Sequence, residues 1–403
     1  MQKDTNRVSL FGYGITTKAL VKKFPYAVFY DDKCIKPFKD ENGFKVKPSN
    51  EFDPLYSDLE IPSPGIPPSN LLIKKAKNLQ SEYDIFADTP PLKIWISGTN
   101  GKTTTTQMMQ HLLCEKGSEA GGNIGTPLAN LNPDAKMWIL ETSSFTIHYT
   151  NIAKPNIYVL LPINPDHLSW HGDMDEYVKA KLKPIADMKE GEVAIIPHTY
   201  KEIDTRAHLI TYENEQDLAS HFNIDISLIK FKGAFLVDAL LAIAVDKILF
   251  DKVNYEKINS FVLDPHRQEE IKDSKNRLWI NDTKATNIDA CIAAINRYKD
   301  SKLHLILGGD DKGVDLEELF IFLTNIKVKI YNIGSNKDKL SDLALKYKIK
   351  FNKCIDLADA IKHIDENLSS NEVALLSPAA SSLDEFSSYA QRGDEFKKAV
   401  AKL

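Results

Sequence analysis

Ile94-Trp95-Ile96-Ser97-Gly98-Thr99-Asn100-Gly101-Lys102-Thr103-Thr104-Thr105 is the stretch that decides the fold. A short apolar run ends in a loop bracketed by glycines, and Lys-Thr then opens a segment of helical character. This is the layout of a phosphate-binding loop. Glycines let backbone N–H groups turn inward around phosphate oxygens, and the helix presents its positive end to them. Lys102 is expected to reach the terminal phosphates and the Thr103 hydroxyl to ligate Mg²⁺. The pattern is the shorter G-x-x-G-K-T, because Ile96 stands where the general motif has its first glycine. A strand-to-helix turn that binds nothing is the alternative, but strand, loop, Lys-Thr and helix come in the order the chemistry needs.

The totals set the frame around this loop. At 403 residues the chain exceeds one ordinary core, so two or three domains are expected. Its 43% hydrophobic and 27% charged content is that of a soluble globular protein. A net charge of −5 gives no general attraction to nucleic acid or an anionic membrane. A phosphorylated substrate must therefore be held by local groups. Cys34, Cys114, Cys291 and Cys354 form no C-x-x-C pair and suggest reduced thiols in a cytosol. No apolar run approaches the ~20 residues of a membrane span, and residues 1–10 lack the apolar core of a signal peptide.

Upstream of the loop, Val8-Ser9-Leu10-Phe11 followed by Gly12-Tyr13-Gly14-Ile15-Thr16-Thr17 reads as strand, tight turn and helix. Residues 27–30 form the next strand, which ends at Asp31. This is a Rossmann-like opening whose third glycine is replaced by Thr17. In Ile61-Pro62-Ser63-Pro64-Gly65-Ile66-Pro67-Pro68 the prolines fix a rigid turn that keeps Ser63 in place. Thr89-Pro90-Pro91 reads as a linker.

Downstream, the loop's helix is expected from about Thr103 to Lys116, and Gly121-Gly122-Asn123-Ile124-Gly125-Thr126-Pro127 is a turn-rich loop. Met137-Trp138-Ile139-Leu140 is a buried strand ending at Glu141. A carboxylate there, beside a phosphate loop, is the standard place to hold Mg²⁺. Residues 157–161 form another strand, leading to Asn164-Pro165-Asp166-His167. His167 and His171 are four apart, yet Pro165 and Gly172 interrupt any helix, so no zinc pair is read. Residues 231–248 read as an apolar helix. From Asp264 strands and helices alternate, which implies a mostly parallel sheet. Polar clusters at 282–287, 308–313 and 377–382 fall at the carboxyl ends of its strands, where ligands sit in such sheets.

At this point the residues resemble the Mur ligases. Gly98-Thr99-Asn100-Gly101-Lys102-Thr103 looks like their ATP loop, and His266-Arg267-Gln268-Glu269 like their H-R-x-E element. Asn281-Asp282-Thr283-Lys284-Ala285-Thr286-Asn287 is similar to N-D-S-K-A-T-N. Leu307-Gly308-Gly309-Asp310-Asp311-Lys312-Gly313 belongs to the same set. The stretch from Leu376 to Phe386 and Gln391-Arg392-Gly393 resemble the branch that adds D-glutamate to UDP-N-acetylmuramoyl-L-alanine.

The resemblance implies an α/β fold of three domains. A Rossmann-like N-terminal domain (1–88) would take the UDP-sugar, a P-loop-type central domain (89–262) ATP, and a Rossmann-like C-terminal domain (263–403) the amino acid. It also implies a reaction in the cytoplasm, catalysed by a monomer with no nucleic-acid or membrane partner. The sugar's carboxylate attacks the γ-phosphate of ATP, and the amine of D-glutamate then attacks the acyl phosphate. Two anions must meet, so Mg²⁺ and Lys102 are needed to offset their repulsion.

By resemblance, ATP is held by Gly98, Thr99, Asn100, Gly101, Lys102, Thr103 and Thr104, with Arg267 and Asp282 from the third domain. Thr103 and Glu141 ligate one Mg²⁺. His167 and Lys181 form a second metal position, Lys181 being carbamylated there into an oxygen donor; the Tyr177-x-x-x-Lys181 spacing matches. Lys284, Thr286, Lys312, Ser382, Leu383 and Tyr389 resemble D-glutamate contacts, and two cations facing a dicarboxylate is sensible charge matching. Ile15, Thr16, Asp31, Ser63 and Asn123 match UDP-sugar contacts by position. One departure stands out. Phe235, Leu236 and Ala239 occupy places where the family has the His and Asn residues of G-x-H-N-x-x-N, so the adenine-binding amides are gone. Rival readings are a sister ligase adding another amino acid, a nucleotide-binding regulator without catalysis, and a kinase.

Overall fold

The computed structural model describes residues 7–403. It contains three sheets, each laid down by a consecutive stretch of chain. The first joins β1 (Val8–Phe11), β2 (Val28–Asp31), β3 (Phe38–Lys39), β4 (Lys45–Pro48) and β5 (Leu59–Pro62) in the order β3-β4-β2-β1-β5. The second joins β6 (Leu92–Ser97), β7 (Ser118–Gly122), β8 (Met137–Glu141), β9 (Ile157–Leu160), β10 (Val193–Pro197) and β11 (His208–Tyr212) in the order β11-β10-β9-β6-β8-β7. The third joins β12 (Glu269–Lys272), β13 (Leu278–Asn281), β14 (Leu303–Gly308), β15 (Val328–Ile333), β16 (Lys350–Lys353) and β17 (Val373–Leu376) in the order β12-β13-β17-β14-β15-β16. Every pairing is parallel except β3 with β4 and β12 with β13. The fold is therefore α/β, with a Rossmann-like first sheet, a phosphate-loop second sheet and a Rossmann-like third.

Parallel sheets bury both faces, so their strands read as unbroken apolar runs. In β14 Leu303, Leu305 and Leu307 pack to one side of the third sheet, and Ile306 packs to the other with Trp279 and Leu376. The chain divides into two compact units, one ending at Phe261 and one running from Val262 to Leu403. The first unit holds the first two sheets. Asp84 ties the short helix Glu82–Ile85 to the second sheet's surroundings, accepting hydrogen bonds from the backbone N–H groups of Asn151, Ile152 and Ala153. Among the described residues no helix is long and apolar enough to cross a membrane.

In the second sheet β6 lies between β8 and β9, which leave it in opposite directions. A strand at such a reversal opens a crevice at its carboxyl end. The loop 98–101 lies there. In the third sheet β17 stands between β13 and β14, and the loops after all three strands meet at that edge.

Candidate active site

The loop after β6 needs its two glycines. Gly98 has φ 142° and Gly101 φ 82°. A Cβ on Gly98 would stand 2.5 Å from Leu161 Cβ, and one on Gly101 would stand 2.5 Å from Asp238 Oδ1. Gly101 opens the helix Lys102–Leu113 without a capping side chain, which leaves first-turn N–H groups for an anion. Thr99 anchors the loop from beneath: its hydroxyl donates to Asn164 O at 3.0 Å and lies 3.0 Å from the Tyr177 hydroxyl. Lys102 Nζ donates to Gly98 O at 2.9 Å and Thr99 O at 2.7 Å, so its charge lies across the loop.

Glu141 ends β8 alongside Ile96 of β6, two residues before the loop begins. It is 3% exposed. Asn123 Nδ2 donates to its Oε1 at 2.7 Å, while Oε2 is buried with no hydrogen-bond partner. Asn123 N and the Tyr83 hydroxyl both donate to Glu141 O, at 2.8 and 3.2 Å. A buried carboxylate oxygen without a partner costs about 1–3 kcal/mol unless something else supplies the contact.

Lys181, on the helix Met174–Ala186, is fully buried. Its Nζ donates to Gly98 O at 2.8 Å and approaches Ser97 Oγ at 3.4 Å. Burial, and after it the charge of Lys102, push its ammonium well below the ordinary lysine range, against the opposing pull of Asp166 and Glu141. Tyr177 brings His167 to the same place. The His167 and Tyr177 rings are 6.5 Å apart, and Lys181 Nζ is 4.8 Å from the Tyr177 centroid. His167 has φ 54° and precedes the four-residue helix Leu168–His171.

At the edge of the first sheet, Ser63 stands over the Gly12–Gly14 turn: a Cβ on Gly12 would meet Ser63 Cβ at 3.1 Å. Ile15 is exposed at the start of the adjoining helix, with Thr16 next to it. Asp31 is occupied by structure, its carboxylate accepting from Tyr13 N and Lys33 N at 2.7 Å each. The loop that carries Ser63 is pinned by the second sheet's domain, where the Tyr149 hydroxyl donates to Ile66 O at 2.6 Å and Trp170 Nε1 to Gly65 O at 3.2 Å.

In the unit from Val262, one edge of the sheet collects the third set of residues. Asp282 is buried. Ser377 Oγ donates to its Oδ2 at 2.8 Å and Gln268 N to its Oδ1 at 3.2 Å. Burial pushes its carboxyl up to about 7, against those hydrogen bonds and the nearby Arg267. His266 and Glu269 both meet Asn281 Nδ2, at 2.9 and 3.2 Å, and so brace the end of β13. Lys284 Nζ lies 3.9 Å over the Tyr389 ring. Asp310 and Ser381 exchange backbone hydrogen bonds at 2.9 Å, which joins the loop bearing Lys312 to the one bearing Ser382 and Leu383. Ser382 is buried, Leu383 exposed and Thr286 half-buried.

Comparison with known proteins decides what this assembly belongs to. Residues 96–233 match the Mur ligase middle domain. A UDP-N-acetylmuramoylalanine–D-glutamate ligase of Campylobacter jejuni is 57% identical over 98% of this chain and 100% of its own length. One of Helicobacter pylori is 43% identical over the same shares. The chain belongs to the Mur ligase family. The MurF ligase of Thermotoga maritima, solved in complex with ADP, shares the fold with a TM-score of 0.62 at 17% identity, over 99% of this chain and 96% of that one.

Within this Mur ligase the loop 98–104, Glu141, His167 and Lys181 gather around the carboxyl ends of β6, β8 and β9. Asn123, read on the sugar side, is joined to Glu141. Two residues with structural claims on the site carried no reading of their own. Phe235, Leu236 and Ala239 are all buried, but the same helix, Ala234–Phe250, turns Asp238 under the phosphate loop. Thr105 Oγ1 donates to Asp238 Oδ1 at 2.9 Å. An acid among the apolar residues of the helix's opening turns was the available signal. Arg392, quoted within a motif, is buried and spans three loops: it donates to Thr283 Oγ1 and O, Ala380 O and Gly308 O at 2.8 to 3.3 Å.

Proposed function

We propose that this chain is an ATP-dependent ligase that joins D-glutamate to UDP-N-acetylmuramoyl-L-alanine through an acyl phosphate, in the cytoplasm and as a monomer. The observation that carries the chemistry is Glu141 Oε2, buried without a partner next to the strand that feeds the phosphate loop. The full-length likeness to D-glutamate ligases carries the choice of substrates. We assign residues 1–88 to the UDP-sugar, 89–262 to ATP and 263–403 to the amino acid.

In this reading the backbone of Gly98–Gly101 and Lys102 hold the triphosphate. Thr103 and Glu141 fit one magnesium ion, a hydroxyl and an unpartnered carboxylate oxygen being the hard donors it favours. That ion would offset the repulsion between the sugar's carboxylate and the γ-phosphate. A carboxylate oxygen forms a bond to the γ-phosphorus as the bond to the bridging oxygen breaks and ADP leaves. The D-glutamate amine then forms a bond to the acyl carbon, phosphate departs with the carbon–oxygen electron pair, and the ammonium proton is lost. Lys284 and Lys312 meet the two carboxylates of the incoming amino acid, with Thr286, Ser382, Leu383 and Tyr389 around it. Ile15, Thr16, Asp31 and Ser63 line the sugar-nucleotide edge.

We assign a carbamate to Lys181. Its amine contacts a carbonyl and a hydroxyl, not a carboxylate, so an added oxygen-donor anion would suit it, with His167, to a second magnesium ion. The test of the whole reading is ADP release with the UDP-sugar alone, D-glutamate alone, and both. Sustained release is expected only with both, accompanied by the ligated product. A chain that binds ATP and releases no ADP with both would be a regulator instead.

A further inference from the structure

We infer that Asn123 is a positioning residue for Glu141: it selects which carboxylate oxygen is left for the metal. The inference rests on the magnesium reading above and adds a residue to it. Asn123 grips Glu141 twice, with Nδ2 on Oε1 at 2.7 Å and its backbone N–H on Glu141 O at 2.8 Å. The grip is built in. Gly122 has φ 83°, and a Cβ there would stand 2.5 Å from Glu141 O and 2.6 Å from the Tyr83 hydroxyl, so the turn closes on the strand end with no room to spare. Gly122 N also donates to Thr126 O at 2.8 Å, which fixes the loop behind it. Glu141 thus has one oxygen hydrogen-bonded by Asn123 and one unpartnered inside the protein.

A carboxylate with both oxygens free could rotate or chelate through both. One pinned by an amide offers a single oxygen in a fixed direction, and partners of this kind typically change metal affinity by about 10- to 100-fold when removed. Because Asn123 lies on the turn-rich loop and not on β8, anything that shifts that loop alters the metal ligand. The loop and the ligand are mechanically one unit.

The test is Mn²⁺ binding to the full chain with ADP, followed by the electron paramagnetic resonance signal of free Mn²⁺, without any turnover. Asn123→Ala removes the side-chain grip and keeps the backbone one; Asn123→Ser is the second variant should the first fold poorly. Both are expected to weaken Mn²⁺ binding by about 10-fold, with ADP binding in the absence of metal unchanged. Glu141→Gln is the reference. If it weakens Mn²⁺ binding and the Asn123 variants do not, the positioning role is overturned and the metal reading stands. If Glu141→Gln also leaves Mn²⁺ binding unchanged, the metal reading falls and takes this inference with it.

Discussion

At the scale of single residues, the site is marked by groups that cost stability where they stand. Glu141 is buried with one oxygen unpartnered, so Glu141→Gln should leave thermal unfolding within about 1 kcal/mol of the parent, since Asn123 can still donate to the remaining oxygen. The same change should lower the ADP release rate by about 100-fold or more. Unchanged turnover would remove Glu141 from the reaction. Lys181 is the second such group. A lysine buried against a loop carbonyl and pushed toward its neutral form is poor material for stability. Lys181→Ala should therefore abolish ADP release, and added bicarbonate should not restore it. A Lys181→Ala enzyme of near-parental activity would dispose of the carbamate.

At the scale of elements, the two edges of the third sheet do different work. At the carboxyl edge Arg392 satisfies carbonyls on the loops after β13, β14 and β17. Arg392→Met would leave those carbonyls buried and unpaired, with an expected loss of about 3 kcal/mol or more on urea unfolding and a raised KM for D-glutamate. A KM that does not move would confine Arg392 to stability. At the amino edge His304 stands between the Tyr331 hydroxyl at 2.8 Å and Glu372 Oε2 at 2.9 Å, and Lys302 also meets Glu372. Burial opposes the charge on Glu372, but hydrogen bonds from Lys302 and His304 outweigh it and hold the carboxyl down to about 2. At His304 burial wins and pushes the imidazole down, so both groups favour the folded state at neutral pH. The Glu372 share is present above the usual carboxylate range and lost as pH falls from about 4.5 through 2. Glu372→Gln should flatten the pH dependence of thermal unfolding in that window; an unchanged slope would contradict it.

The elements also show what the sequence could and could not announce. β6, β8, β14, β15 and β17 are predominantly apolar, with an occasional Lys93, His304, Lys329 or Asn332 among them, and were legible as buried strands. β7 was not: Ser118-Glu119-Ala120-Gly121-Gly122 has no large apolar side chain, and its strand is defined by pairing with β8. β5 carries Pro62 and reads as a turn, yet its residues pair with β1 in the first sheet. The helix over 234–250 was legible, whereas the direction in which Asp238 points was set by packing against the helix Lys102–Leu113. Asn123 carried an expectation on the sugar side, and its contact with Glu141 was not legible, because it closes only when β7 pairs with β8 and brings the turn after Gly122 to the end of the neighbouring strand.

At the scale of the whole molecule, the second unit has what a domain needs to stand by itself. Its sheet is covered on both faces, by a cluster around Leu305, Leu319 and Phe320 on one side and by Trp279, Ile361 and Phe396 on the other. Buried polar groups at its strand ends pair within the unit: Arg392 on the strand-end loops, His266 and Glu269 on Asn281, Asp282 on Ser377. A unit of this size with its own core is expected to fold alone. A fragment of residues 262–403 should unfold cooperatively by heat, with no measurable ADP binding. A fragment ending at residue 261 retains the loop, Lys102, Glu141 and Lys181, so it should bind ADP in a magnesium-dependent way. It should form no ligated product, because the cations that meet the amino acid are not on it. A 262–403 fragment that unfolds without cooperativity, or that takes up ADP with the affinity of the full chain, would overturn this division of labour.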